Sequence, residues 1–243
     1  MIKKTYADNE YYEGETAHIP LEYMEGFDFI DLGAKTGKME KYAQDLFGAK
    51  KGLHFEIKEE FIPIMEEKGI SCLNADITNL VLPENCVDFV ICTHTLEHLP
   101  SLKDVEYVIK ESIKASKHFI YFTWPYFGSI KYLESLNLKQ MYTDWDDHPT
   151  HLTFKDLNKI LKNLNVVHYN FAWPSIKDSN HSTIIPYNFP RNSTFYDSTL
   201  GKKPFIKFTE KVYAESVCFI ALDNSIKTQS SLQRIKNFNW DTI

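Results

Sequence analysis

Apolar and polar positions along the chain show a strand-like pattern in some segments and a helical period in others. The two kinds of segment alternate. Short apolar runs predict buried strands at residues 27–32, 52–57, 71–75, 86–92 and 118–123. Between them, apolar positions three and four residues apart predict helices at 38–47 and 59–68, and a further helix follows Pro100. Strands and helices that alternate in this way indicate right-handed crossovers and a parallel sheet.

This alternation lapses at residues 126–150 and 174–208, which are aromatic and polar insertions. A helix capped near Thr153 and a strand near 166–173 lie between them, and a last strand is predicted at 213–222. Residues 1–25 form a tyrosine-rich lead-in, and the tail after Asn224 is polar. We therefore predict one domain over residues 1–243, with the insertions on the substrate side.

Composition narrows the class of protein. The 243 residues include 27 basic and 33 acidic side chains, for a net charge of -6. An acidic chain is a poor partner for nucleic acid or for anionic membrane. The four cysteines form no CxxC pair, and no apolar leader or membrane-spanning stretch occurs in the sequence. We expect reduced thiols and a cytoplasmic protein.

Polar and glycine residues follow the predicted strands. The first strand runs into Asp31-Leu-Gly-Ala-Lys-Thr-Gly37, a glycine turn that opens a helix and exposes backbone N–H groups to a ligand. Glu56 ends the second strand, where a carboxylate can accept hydrogen bonds from both hydroxyls of a ribose. Asp76 ends the third strand, and Thr93 and His94 follow the fourth. These positions predict a nucleotide site at one edge of the sheet.

Four of these segments resemble the class I S-adenosylmethionine (SAM)-dependent methyltransferases, in order and in spacing. They are DLGAKTG (31–37), Glu56, NADI (74–77) and VDFVICTHTLEHLP (87–100), and the resemblance covers roughly residues 27 to 125. It implies a Rossmann-like α/β fold, with a mostly parallel seven-stranded sheet, helices on both faces and a reversed last strand. It also implies SAM as the cofactor, bound by Asp31, Gly33, Ala34, Gly37, Glu56, Ile57, Asp76, Ile77 and Thr93.

The glycine turn departs from the family pattern at one position. Lys35 stands where most members have the middle glycine, so a SAM-fold protein that binds without catalysis stays open as an alternative. A NAD-dependent dehydrogenase is disfavoured, because two of its three fingerprint glycines are missing. Methylation of nucleic acid is disfavoured as well, because Thr93-His-Thr-Leu96 replaces the pattern that grips a flipped base.

Methyl transfer to an alcohol requires removal of a proton, for which histidine has a suitable pKa. The candidate catalytic residues are His94, His98 and His148, although the polar groups after the fourth strand also suit a helix cap. His94, Glu97 and His98 have a spacing that can hold a divalent metal ion. Metal assistance is therefore a second hypothesis, whereas an inverted metalloprotease does not fit a strand-to-helix turn.

The insertions supply candidate acceptor contacts that combine acidic, aromatic and basic side chains: Tyr126, Asp144, Trp145, Asp147, His151 and Arg191. Such a set suits a polyhydroxylated acceptor, whose hydroxyls need acceptor oxygens and whose C–H faces stack on rings. We predict O-methylation of a sugar or sugar nucleotide in bacterial surface (capsular) polysaccharide synthesis. A quinone, phenol or other small molecule is the alternative acceptor.

Overall fold

The computed structural model describes residues 16–238 and 240–243, so most of the predicted lead-in lies outside the described residues. The strands are β1 (Ala17–His18), β2 (Phe29–Leu32), β3 (Gly52–Glu56), β4 (Ser71–Asn74), β5 (Leu80–Val81), β6 (Val87–Thr93), β7 (Ser116–Pro125), β8 (Leu138–Gln140), β9 (Val167–Asp178), β10 (Ile184–Pro186), β11 (Lys207–Ala221) and β12 (Asp241–Thr242). The α-helices are α1 (Lys38–Phe47), α2 (Ile62–Glu67), α3 (Leu102–Ala115), α4 (Ile130–Ser135), α5 (Phe154–Leu164) and α6 (Ile226–Lys236).

One eight-stranded sheet, in the order β4-β3-β2-β6-β7-β11-β9-β12, carries the fold. The first five strands of this order are parallel, and β11 runs antiparallel between β7 and β9. The predicted fold class and the reversed last strand of the sheet are confirmed. The eighth strand, β12, pairs with the edge of β9 and was not expected.

Both faces of the sheet are covered because alternate residues of each strand face opposite layers. One layer stacks Phe89 on Phe119, with ring centroids 4.6 Å apart, and is covered by α1 and α6. The other layer includes Ile30 and Val90 and is covered by α3 and α5. The chain reverses its strand order between β2 and β6, so the crevice at their carboxyl ends is where a parallel α/β sheet binds ligands.

Where the sequence has strong capping or glycine signals, these determine the residues at which a helix begins and ends. The helix α1 occupies the predicted residues 38–47 and is flanked by Gly37 and Gly48, both in the left-handed region. Thr153 caps α5 through a reciprocal capping box with Asp156. The helix α6 lies in the tail predicted to be merely polar. Its buried face includes Thr228 and Ser231, which give little apolar periodicity.

The two insertions contain more regular structure than the sequence predicted. The first holds α4, β8 and a 3₁₀ turn at Met141–Asp144. The second begins as a continuation of β9 to Asp178 and includes β10, which pairs antiparallel with β8. The insertions therefore form one joint structure over the carboxyl edge of the sheet. None of the helices in the described ranges is long and apolar enough to cross a membrane.

Candidate functional site

The glycine turn leads directly from β2 into α1. Gly33, Lys35 and Gly37 have φ values of 81°, 50° and 71°, all in the left-handed region. The N–H groups of Gly33 and Ala34 donate to the Phe55 carbonyl at 2.9 and 3.0 Å, which ties the turn to β3. The turn thus bends tightly enough to direct the start of α1 at the crevice.

Glycine is also required at position 33 because Thr95 approaches it closely, a contact that the sequence did not predict. A Cβ atom at this position would lie 2.3 Å from both Cγ2 and Oγ1 of Thr95. The Thr95 hydroxyl donates to the carbonyls of Gly33 and Thr93, at 3.4 and 3.2 Å. Thr95 therefore couples the glycine turn to the end of β6, and no local sequence signal distinguishes it from its neighbours.

Glu56 lies at the end of β3 and is 6% exposed. Its Oε2 accepts the Lys35 N–H at 2.6 Å, and its Oε1 accepts the Lys58 N–H at 2.9 Å. The Lys35 side chain is exposed, so it leaves the inside of the turn clear. Lys35 thus takes the left-handed conformation of the missing glycine, while its N–H fixes the carboxylate that is predicted to hold a ribose.

The other predicted cofactor residues differ from one another in the exposure of their side chains. Ile57 is 59% exposed directly after Glu56, as expected of an apolar surface for a flat ring, whereas Ile77 is only 8% exposed and packs in the core. Asp76 Oδ1 accepts both the N–H and the hydroxyl of Thr78, and Thr93 is half-buried at the end of β6. The carboxyl ends of neighbouring strands bring these residues to one edge.

A buried polar network lies under the glycine turn. Asp31 Oδ2 and Glu40 Oε2 are each 3.0 Å from one ring nitrogen of His54. Burial opposes the charged imidazolium, but hydrogen bonds with Asp31 and Glu40 outweigh it and raise the pKa of His54 to about 9. Burial raises the pKa of Asp31, with His54 acting in the opposite direction. His54 and Glu40 were not predicted, because their contact spans three elements.

Asp31 also keeps one carboxylate oxygen, Oδ1, that is buried and has no hydrogen-bond partner among residues 16–238 and 240–243. A buried carboxylate oxygen requires a donor, which a bound amino or hydroxyl group can supply. Together with Glu56, the exposed Ile57 and the free start of α1, this acceptor oxygen suits a charged nucleoside ligand. The residues present fit a nucleotide-type cofactor.

A second polar cluster follows β6. His94 has a φ of 51°, and its ring nitrogens lie 3.5 Å from Glu97 and from Glu215. Partial burial alone would lower the pKa of His94, but the carboxylates of Glu215 and Glu97 outweigh it and raise that pKa to about 10. The carboxylates therefore favour the protonated form of the His94 side chain, and its roles as a base and as a metal ligand stay predictions.

The side chains that could hold a metal ion in the structure are Glu97, His98 and His148, whereas the sequence predicted His94 in place of His148. Ligand atoms of Glu97, His98 and His148 all lie within 4.8 Å of one another. Burial lowers the pKa of His148, and the neighbouring His98 acts in the same direction. A neutral imidazole is both a base and a metal ligand, so His148 fits either chemistry better than His94 does.

The two insertions enclose a cavity of about 440 Å³ next to this cluster. The residues around it are Ile130, Glu134, Lys139, Gln140, Thr143, Asp144, His151, Tyr187, Asn188, Phe189 and Arg191. Three of the six predicted acceptor contacts, Asp144, His151 and Arg191, are among them. Asp144 has a buried Oδ1 without a partner in the described part of the chain.

The other three predicted acceptor contacts lie elsewhere. Tyr126 packs against Phe154 and Tyr213, and Trp145 donates its indole N–H to the Ser193 carbonyl at 2.9 Å. The Asp147 side chain is 70% exposed. Trp124, near the end of β7, is fully buried. None of these side chains lines the cavity, because the insertion folds so that its aromatic residues pack inward.

Comparison with known proteins agrees with this geometry. Residues 30–118 match the family model of the methyltransferase domain. No curated protein matches the sequence. Among solved structures, a SAM-dependent methyltransferase from Archaeoglobus fulgidus superimposes with a TM-score of 0.56 at 15% identity, covering 83% of this chain and 89% of that one.

Two further structures show the same fold. The YcgJ protein of Bacillus subtilis gives a TM-score of 0.52 at 11% identity, covering 84% of this chain and 97% of its own. A Thermotoga maritima SAM-dependent methyltransferase, named as a candidate histamine N-methyltransferase, gives 0.50 at 15% identity, with 81% and 83% covered. The chain thus carries a match to the methyltransferase domain over residues 30–118, and its described residues have the fold of these SAM-dependent methyltransferases.

Proposed function

We propose that this methyltransferase acts on a hydroxyl group of a sugar or sugar nucleotide, in the synthesis of bacterial surface polysaccharide. The observation that carries the proposal is the unpartnered Asp144 Oδ1 in the wall of the cavity. Its other oxygen, Oδ2, already pairs with Lys139 Nζ at 2.6 Å. A buried acceptor oxygen of this kind favours a ligand that donates a hydrogen bond, as a sugar hydroxyl does.

The remaining lining supports the same class of acceptor. The cavity volume of about 440 Å³ lies in the range of small-molecule sites. Tyr187 is 51% exposed and offers a flat ring for the C–H face of a sugar, while Asn188 offers amide donors and acceptors. Arg191 is paired with Asp146 at 2.5 Å on the exposed rim, where a phosphate group would compete for the guanidinium.

We assign the cofactor contacts to the edge formed by β2, β3, β4 and β6. Glu56 would accept from the ribose hydroxyls, Asp76 and Ile57 would flank the adenine, and the glycine turn with Asp31 would hold the methionine part. When bound, SAM supplies an electrophilic methyl group on a sulfonium. The protein's own task is then alignment of the acceptor oxygen and removal of its proton.

His98 and His148 are the residues we assign to proton removal. His98 Nδ1 lies 2.5 Å from the Asp147 carbonyl, and His148 Nδ1 lies 3.0 Å from the Tyr142 carbonyl. Because a carbonyl only accepts, each Nδ1 carries the hydrogen and each Nε2 keeps a lone pair.

The organisation of the chain follows from this assignment. We propose a single methyltransferase domain over residues 1–243, in which residues 126–150 and 174–208 form the acceptor side. All four cysteines are free, and three of them are buried. Free thiols are typical of reducing compartments, which supports a cytoplasmic location.

The proposal is tested by transfer of a radiolabelled methyl group from SAM to a panel of acceptors. The panel contains nucleotide-activated sugars, free sugars, catechols and biogenic amines. We expect label in a sugar hydroxyl, with the position read from the mass spectrum of the product. Label found only in catechols or only in amines would reject the sugar class, and a protein that fails to bind SAM in calorimetry would reject methyl transfer itself.

A further inference from the structure

Three metal-ligating side chains converge from two separate segments of the chain. Glu97 and His98 belong to the 3₁₀ turn Leu96–His98 that follows β6, whereas His148 lies in the first insertion. Their ligand atoms lie within 4.8 Å of one another, and the rings of His98 and His148 are 4.8 Å apart at 72°. One carboxylate and two imidazoles form a donor set used by divalent transition metals.

The backbone holds the two segments together independently of these side chains. The Thr150 N–H donates to the Glu97 carbonyl at 3.2 Å, and the Thr150 hydroxyl donates to the Leu99 carbonyl at 2.6 Å. The insertion is therefore fixed against the turn within three residues of each candidate ligand. Such support is what a preorganised metal site requires.

Both histidines are oriented as ligands. Each donates its Nδ1 hydrogen to a backbone carbonyl, Asp147 for His98 and Tyr142 for His148, so each Nε2 is available. Metal-bound histidines regularly donate their second nitrogen to a carbonyl or carboxylate in this manner, which fixes the tautomer and the ring orientation.

Glu97 supplies the observation that calls for a cation. The residue is 1% exposed, and its Oε2 has no hydrogen-bond partner within the described ranges. Its Oε1 faces the charged imidazole of His94, whose Nδ1 lies 3.5 Å away, so the oxygen that lacks a donor is Oε2. A buried carboxylate oxygen without a donor is costly, and a metal ion bound there would remove that cost.

We propose that Glu97, His98 and His148 bind a divalent transition-metal ion at the border of the cofactor edge and the acceptor cavity. Three protein ligands leave a coordination position open, as in catalytic zinc sites. Tetrahedral zinc places its ligands about 3.4 Å apart. The three ligand atoms lie within 4.8 Å of one another, so a bound ion would draw them closer together.

The catalytic role of the ion rests on the proposed function, but its binding does not. An acceptor hydroxyl at the open position would have a lowered pKa and would lose its proton to water. Its oxygen would then bond to the methyl carbon as the bond from that carbon to the SAM sulfur breaks and S-adenosylhomocysteine leaves. This route would replace direct proton removal by His98 and His148, because their Nε2 lone pairs would bind the ion.

The test uses full-length, tag-free protein and Co²⁺ as a spectroscopic probe, with Zn²⁺ as competitor. We expect one Co²⁺ per chain, visible d–d absorption, displacement by Zn²⁺ and a rise in Tm that EDTA reverses. His98→Gln and His148→Gln should each weaken Co²⁺ binding at least about 100-fold, since each removes one of three ligands. His151→Gln, in the same segment but outside the group, is the matched control and should retain Co²⁺ binding.

Two results would overturn the metal site. One is a wild-type protein that shows no saturable Co²⁺ absorption and contains no stoichiometric metal by elemental analysis. The other is equal Co²⁺ affinity in wild type and in both ligand variants. SAM affinity, measured on every variant in EDTA, reports whether the fold is intact. Methyl transfer that persists in EDTA would overturn the catalytic role of the ion and leave the proposed function standing.

Discussion

The backbone N–H of Lys35 donates a 2.6 Å hydrogen bond to Oε2 of Glu56, across two neighbouring strand ends. The same carboxylate accepts the Lys58 N–H on its other oxygen. Glu56 therefore shapes the glycine turn, and it is also the carboxylate that we propose to accept from a ribose. A substitution here should affect the cofactor site as a unit.

Glu56→Ala is expected to weaken SAM binding by on the order of 2 kcal/mol, about 30-fold in Kd, because charge-assisted hydrogen bonds are lost. Titration calorimetry measures the change. Glu60→Ala removes an exposed carboxylate nearby and serves as the control. An unchanged Kd in Glu56→Ala would refute the ribose assignment.

Gly33→Ala is expected to lower the free energy of unfolding by about 2–4 kcal/mol, because it adds left-handed strain and a clash with Thr95. Urea denaturation gives this value. The double variant Gly33→Ala/Thr95→Ala removes Thr95 Cγ2 and Oγ1 but leaves its Cβ, 2.8 Å from the added Cβ, so it should recover part of the loss and keep the strain. Additive losses in the double variant would mean that the two side chains do not meet.

His54 makes stability depend on pH in a defined direction. Its pKa is about 9 in the folded protein against an ordinary value of 6.5. A raised pKa stabilises the fold fully below pH 6.5, and this contribution disappears as pH rises through 9. We expect the free energy of unfolding to fall by up to about 3 kcal/mol between pH 6.5 and 9.5.

The control for this pH dependence is His54→Gln, whose amide keeps a hydrogen-bond donor but does not titrate. Its stability should be lower at pH 6.5 and should lack the His54 part of the fall, as measured by urea denaturation across the pH range. An NMR titration of the wild-type imidazole checks the same point without a variant. A ring that titrates near pH 6.5 would contradict the paired imidazolium.

Tyr187→Ala is expected to raise the acceptor KM about 3- to 10-fold, because a stacking surface in the cavity is lost. The SAM Kd should stay constant, since Tyr187 lies on the acceptor side. Phe195→Ala removes an aromatic ring that is 68% exposed and outside the cavity, so its KM should match wild type. Equal effects of the two substitutions would place the acceptor elsewhere.

The cofactor edge was largely predictable because its signals are local. A glycine turn, an acidic residue at a strand end and a 3.6-residue period are written within short segments, and α1 has its predicted bounds. The prediction was weaker where a segment has little apolar periodicity. The helix α6 was missed for this reason, and the predicted helix at 59–68 divides into a 3₁₀ turn and the short α2.

The sequence by itself determined the order of strands and helices, the parallel sheet and the edge where a nucleotide binds. Only the tertiary structure decided that His148 and not His94 joins Glu97 and His98, and that Asp144 and not Trp145 lines the cavity. The physical reason is separation along the chain. Apolar periodicity and turn-forming residues act over a few positions, whereas His98 and Asp147 are 49 positions apart and are brought into contact by packing alone.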